Sequence, residues 1–224
     1  MKKNRVLVVA AHADDEILGV GATIARHKAE GDDVGVMFLT DGVGARGTQE
    51  ASEAKQRSEA CQRALKIVGV SQCWFHDLPD NALDTVGILS VTKLIEAVAN
   101  QFKPTIIYTH HAGDLNVDHR ITAISVLTAF RPFPGQEVRE IYSFEVPSAT
   151  DWGHGALAPF VPTHFVDVTD TYALKEAALK EYEQEMRPSP HTRSFENLRA
   201  LATTRGHSVG VALAEAFITL RRLV

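Results

Sequence analysis

The sequence predicts a Rossmann-like three-layer α/β sandwich with a mostly parallel sheet and a less regular C-terminal part. Three observations predict it. Short apolar runs rich in β-branched residues recur along the first half of the chain. Helix-like segments separate them, which is the pattern of βαβ units. Polar clusters follow the first and fourth runs, where an open parallel sheet binds its ligands.

Taken in order, Arg5 to Ala11 (RVLVVAA) is a continuous apolar run, as expected for a strand buried on both faces. Ile17 to Glu30 reads as a helix closed by Gly31, and Val34 to Leu39 (VGVMFL) as a second buried strand. Glu50 to Val68, rich in Ala, Glu, Lys and Gln, is a helix ending at Gly69; Gln72 to His76 is a short third strand. Val86 to Phe102 has apolar residues at helical spacing. Pro104 stops it, and Thr105 to Thr109 (TIIYT) is the fourth strand. A helix follows His119 to about Phe130 and is broken by Arg131-Pro132-Phe133-Pro134-Gly135. Beyond that lie strands near Glu140 to Val146 and His164 to Val168, and a helix from about Tyr172 to Met186. A proline-rich turn at Pro188 to Pro190, a short helix and an apolar stretch, Ala212 to Leu220, complete the pattern. No internal repeat, low-complexity segment or long linker divides the chain, so residues 1–224 are expected to form one domain.

Composition narrows the function. With 224 residues, 45% of them hydrophobic, the chain can bury a large core without disulfides or a structural metal. A net charge of -5 argues against a nucleic-acid partner, which needs a basic surface to neutralise phosphates. The two cysteines, Cys61 and Cys73, form no C-x-x-C pair, which fits a reduced intracellular protein. The N-terminal apolar run is too short for a signal peptide, and no stretch has the length of a membrane span. A cytoplasmic location is expected, and a homo-oligomer is compatible with the sequence.

Chemistry concentrates in two clusters. His12-Ala13-Asp14-Asp15-Glu16 follows the first strand, and His110 to His119 follows the fourth. If those strands are neighbours, the clusters face each other across one edge of the sheet. Two imidazoles and a carboxylate with an open position make a catalytic zinc site, and a further carboxylate such as Asp14 suits a general base. Taken singly, these residues have plainer readings. Asp14 or Asp15 alone is best read as a helix N-cap, and Glu16 as a dipole-stabilising residue. His27, His76, His154 and His164 read as ordinary polar residues. Gly42-Val43-Gly44-Ala45-Arg46-Gly47 matches G-x-G-x-x-G, but it follows the second strand, so a dinucleotide site is rejected. It reads instead as a loop flanking the pocket, in which Arg46 reaches a substrate oxygen. A receiver-like signalling domain also carries an acidic pair after its first strand, but it leaves His12 and Asp118-His119 without a role.

With Ala11-His12-Ala13-Asp14-Asp15-Glu16 after the first strand, Leu39-Thr40-Asp41-Gly42 after the second, and Asp118-His119 after a later one, the chain resembles the PIG-L/LmbE-type zinc-dependent N-acetylglucosamine deacetylases. The resemblance implies an LmbE-like fold and a small-molecule amino-sugar substrate; a metal-dependent amidohydrolase acting on a non-sugar amide and a catalytically silent sugar-binding protein on the same fold are the alternative readings. It implies one Zn2+ per chain, or another divalent metal such as iron or cobalt, held by His12, Asp15 and His119. Asp14 is then the general base, and Asp118 orients a catalytic or ligating group by hydrogen bonding. Ala13 stands where the family usually has Pro. Asn116 replaces the first His of the H-x-D-H form; it can donate a hydrogen bond to an oxyanion but cannot supply a proton. The general acid is therefore sought among His111, His191, His207 and protonated Asp14. By the same resemblance Asp41, Arg57, Asp80, His191 and Arg193 are expected to line the substrate pocket, with His111 beside them. The turn at Leu78-Pro79-Asp80-Asn81 and the string His191-Thr192-Arg193-Ser194 carry part of that expectation.

Overall fold

The computed structural model describes residues 3–40 and 51–224, with side chains in the second stretch from residue 56. The first half alternates strand and helix: β1 (Arg5–Ala10), α1 (Asp15–Ala29), β2 (Asp33–Thr40), α2 (Ala51–Ile67), β3 (Gln72–Leu78), α3 (Ile88–Phe102), β4 (Ile106–His110) and α4 (Val117–Ala129). The second half adds β5 (Glu140–Phe144), β6 (His164–Asp167), α5 (Tyr172–Glu181), α6 (Phe195–His207) and β7 (Ala214–Arg222). All seven strands join one sheet in the order β3-β2-β1-β4-β5-β7-β6. β1 to β5 run parallel, and β7 lies antiparallel to both of its neighbours.

The apolar runs have a simple explanation. In β1, Val6, Val8 and Ala10 face one core, shared with Ile17 and Ile24 of α1, Leu65 of α2 and Leu179 of α5. Leu7 and Val9 face a second core with Val91, Ile95 and Val98 of α3 and Val126 of α4. A central strand covered on both faces has no position for a polar residue, hence the unbroken run.

β1 pairs with β2 on one side and β4 on the other. The strand order reverses there, so the loops leaving β1 and β4 diverge to opposite faces and open a crevice. The less regular C-terminal part is also more integrated than expected. Its apolar stretch is β7, inserted between β5 and β6. The helix expected to run from Tyr172 to Met186 ends at Glu181, and α4 begins at Val117, so Asp118 and His119 occupy its first turn. The earlier start follows from Asn116, whose side chain caps the helix by accepting the Asp118 N–H.

Two contacts fix α1, whose first turn carries the site. Lys175 of α5 donates from Nζ to the Leu18 carbonyl at 2.7 Å and to Glu215 of β7 at 2.6 Å. Glu215 in turn accepts the N–H groups of Ala22 at 3.2 Å and Thr23 at 2.7 Å. This buried ion pair holds the helix at mid-length to both α5 and β7. Nearer the N-terminus, Gly19 lets α1 lie on β5: a Cβ there would sit 2.3 Å from Cδ2 of the buried Phe144 ring. Gly to Ala inside a helix ordinarily gains about 1 kcal/mol. Here the sign should reverse, with Gly19→Ala losing about 1–3 kcal/mol to overpacking. Denaturant unfolding of the two proteins checks this; a stabilised variant would show that the helix shifts freely on the sheet.

Candidate metal-dependent active site

The loop from β1 turns through Asp14, whose φ of 134° is a left-handed conformation unusual for a residue with a Cβ. Such a conformation costs on the order of 1–3 kcal/mol and persists only when its surroundings hold it. Here Glu16 accepts the Asp14 N–H at 3.0 Å, and the Asp14 carbonyl accepts the N–H groups of Ile17 and Leu18, starting α1. The Asp14 side chain makes no capping bond. It turns instead to Arg193, whose Nη1 donates to Oδ2 at 2.8 Å. The capping reading of Asp14 is thus corrected: its backbone starts the helix and its carboxylate is freed for the crevice.

His12, Asp15 and His119 meet at the junction of β1 and β4. Asp15 Oδ2 lies 3.1 Å from His12 Nδ1 and 3.3 Å from His119 Nε2, and the three side chains offer ligand atoms within 4.8 Å of one another. All three are buried, and Asp15 Oδ1 and His119 Nε2 have no hydrogen-bond partner. Buried polar atoms left unpaired are costly, and both belong to side chains whose ligand atoms lie close together. Two imidazoles and one carboxylate with an open position are the donor set of a catalytic zinc centre, so the residues fit the metal.

A second grouping, His12 with Asp80 and Asp118, also brings donors together. Hydrogen bonding distinguishes the two. Asp118 accepts the N–H of Asn81 at 2.7 Å and of Leu83 at 2.9 Å, and His12 Nε2 lies 3.0 Å from Oδ2. A carboxylate so supplied with donors suits an orienting role toward His12 Nε2, with Nδ1 facing Asp15. Asp80 lies 3.1 Å from the same Nε2.

The electrostatics follow from burial. Burial opposes charge on the His12 and His119 imidazoles, but the facing carboxylates outweigh it, holding His12 well above its usual range and His119 up to about 9. Burial likewise works against the Asp15 carboxylate, yet His119 and His110 keep it well below the usual range. Asp14 is shifted upward by burial, partly offset by Arg193 and Arg57.

Other expected site residues fall around this centre with their groups engaged. Arg57 donates from Nε and Nη2 to the Ala13 carbonyl and pairs with Glu185 at 3.2 Å. Arg193 ties Asp14 to Ser148 Oγ. Asn116 uses Oδ1 as the cap of α4 and donates from Nδ2 to Asn81 Oδ1, so it braces the two loops. His111 Nε2 lies 2.8 Å from the Ala158 carbonyl, and His191 Nδ1 accepts the Arg193 N–H. His207 is exposed at the end of α6. Asp41 and Arg46 lie outside the described residues.

Several participants carried no separate sequence signal. His110 stacks on His119 with ring centroids 3.9 Å apart and accepts the Ala11 N–H on Nε2. Asp114 is fully buried beside His119. Glu16 is no surface dipole partner; it is fully buried and accepts from Tyr182 Oη at 2.7 Å. His110 and Asp114 lie inside the polar run after β4, where position alone was the clue.

Comparison with known proteins agrees with this geometry. The family model described as PIG-L, GlcNAc-PI de-N-acetylase, matches residues 7–130, more than half of the chain. The chain belongs to the PIG-L family. That membership makes it an enzyme of the metal-dependent deacetylase class. One PIG-L relative, the uncharacterized deacetylase YaiS of Escherichia coli K12, is 30% identical over 190 residues, spanning 81% of this chain and 91% of YaiS. The diacetylchitobiose deacetylase of Thermococcus kodakarensis is 26% identical over 227 residues, spanning 94% of this chain and 81% of that protein. Among solved structures, the 4-carboxy-2-hydroxymuconate hydratase GalB of Pseudomonas putida KT2440 superposes with a TM-score of 0.78 at 22% identity, covering 100% of this chain and 98% of GalB. The PIG-L scaffold is thus similar to one that serves a different reaction, and side chains must decide the chemistry.

Glu16 gives this site a measurable pH signature. Burial raises its pKa from 4.5 to about 8, against hydrogen bonds from Tyr182 and the Asp14 N–H. The folded protein then keeps this proton where the unfolded chain has lost it. The associated stability is full below the unfolded pKa and is lost as pH rises through the folded one. Glu16→Gln should therefore gain on wild type in unfolding free energy from about pH 5 to about pH 9. A pH-independent difference between the two would show that Glu16 is ionised in the folded state.

Proposed function

We propose that this protein hydrolyses the N-acetyl amide of an N-acetylglucosamine-type sugar or sugar conjugate, releasing acetate, with one zinc ion held by His12, Asp15 and His119. The observation that carries the reading is the convergence of His12 Nδ1, Asp15 and His119 Nε2 beside the buried Asp14 carboxylate. The family description and the deacetylase relatives support the acetamido substrate.

The metal, when bound, supplies Lewis-acid chemistry that polarises the acetyl carbonyl and lowers the pKa of the attacking water. Asp14 takes the proton of that water. Its left-handed backbone lifts it out of the helix, and Arg193 holds it in place at 2.8 Å. Water adds to the carbonyl carbon, and when the tetrahedral adduct collapses the C=O bond re-forms, the C–N bond breaks and the amine takes up a proton. Asn116 has none to give, and His111 and His191 are tied to Ala158 and Arg193. Asp14, already beside the water, is the group assigned to return the proton it took, and its upward shift on burial favours the protonated form this role needs.

Asp14→Asn should retain metal and lose acetate release by about 10²–10⁴-fold, the usual weight of a general base. His119→Ala should lose the metal. Metal content measured with acetate release from a panel of N-acetylated sugars checks both. Undiminished turnover in Asp14→Asn removes the base assignment, and wild-type metal content in His119→Ala removes the ligand assignment.

A further inference from the structure

His119 lies between two carboxylates. Asp15 Oδ2 is 3.3 Å from Nε2, and Asp114 Oδ2 is 3.1 Å from Nδ1, in a contact bent away from a straight hydrogen bond. Asp114 is fully buried and fixed from three directions. Its Oδ1 accepts the Asn116 N–H at 2.8 Å, its Oδ2 accepts from Thr150 Oγ1 at 2.6 Å, and its carbonyl accepts from Arg120 Nη1 at 2.8 Å. Thr150 is itself held, accepting the Val146 N–H at 2.8 Å just beyond β5. The loop has no slack, since a Cβ on the adjacent Gly113 would fall 2.2 Å from the Ala158 carbonyl oxygen.

We propose that Asp114 is the positioning residue for His119, and that Thr150 aims Asp114 at the ring. A neutral imidazole carries one N–H. A fixed carboxylate at Nδ1 keeps that hydrogen there and leaves the Nε2 lone pair facing Asp15. Asp118 does the same for His12 through the opposite ring nitrogen. Each imidazole at the centre thus has its own buried carboxylate, and each presents a different nitrogen inward. This inference rests on His119 being a metal ligand.

Asp114→Asn tests it. The amide keeps the shape and one acceptor oxygen, but its NH2 group favours a bare Nδ1 and so places the ring hydrogen on Nε2, against the metal. Zinc affinity of the full chain, measured by chelator competition, should fall about 10–100-fold. The unfolding midpoint of the zinc-free protein should stay near that of wild type, which a merely structural role for Asp114 would not allow. Wild-type affinity in Asp114→Asn, with affinity lost in His119→Ala, overturns the proposal and leaves the metal site standing. Wild-type affinity in both variants removes the ligand assignment beneath it. If Asp114→Asn does not fold, Thr150→Val carries the test: weaker zinc binding is expected, and unchanged affinity overturns the proposal.

Discussion

The parallel pairing of β1 with β4 is the constraint on which the site depends. Val6, Leu7 and Val8 lie opposite Ile106, Ile107 and Tyr108, and this register brings both polar loops to the same edge of the sheet. His12 and His119 are far apart in sequence, yet their ring centroids are 5.3 Å apart because the strands beneath them are adjacent. The pairing holds because β1 is covered on both faces, by cores that include α1, α2 and α5 on one side and α3 and α4 on the other.

A dense set of buried carboxyl groups stands on that frame. Asp14, Asp15, Glu16, Asp114 and Asp118 are all nearly inaccessible. Burying carboxylates is unfavourable unless each is paired or hydrogen-bonded. The chain answers with backbone N–H groups for Asp118, Thr150 and a backbone N–H for Asp114, arginines for Asp14, imidazoles for Asp15 and Tyr182 for Glu16. Much of the C-terminal part serves this purpose. Arg193 reaches Asp14 from the segment before α6, and Glu185, after α5, pairs with Arg57. Among the described residues no helix is long and apolar enough to cross a membrane.

The strands and helices of the first half were legible because β1, β2 and β4 carry short, β-branched apolar runs, as strands buried on both faces do, separated by segments of helical spacing. His12, Asp15 and His119, which the fold brings together, stood out in the sequence because they sit where strands end in polar clusters. The partners of those residues were not. Nothing local to Asp114 or Glu16 tells a buried carboxylate from a loop or helix-surface one; that depends on Thr150 and Tyr182, which are remote in sequence. Arg57 and Arg193 read as substrate contacts because their protein partners, the Ala13 carbonyl, Asp14 and Glu185, become neighbours only after folding. The antiparallel insertion of β7 was hidden for a similar reason, since Ala212 to Leu220 shows an apolar stretch but not its neighbours.

In the proposed centre, the crevice between β1 and β4 presents His12 Nδ1, Asp15 and His119 Nε2 to a single metal, with Asp118 and Asp114 behind the two rings. X-ray absorption at the metal edge of the zinc-loaded full chain tests it most directly. Two imidazole ligands and a carboxylate oxygen are expected among the protein donors. A shell with one imidazole and otherwise oxygen ligands would contradict it and place the metal on the other side of His12, with Asp80 and Asp118.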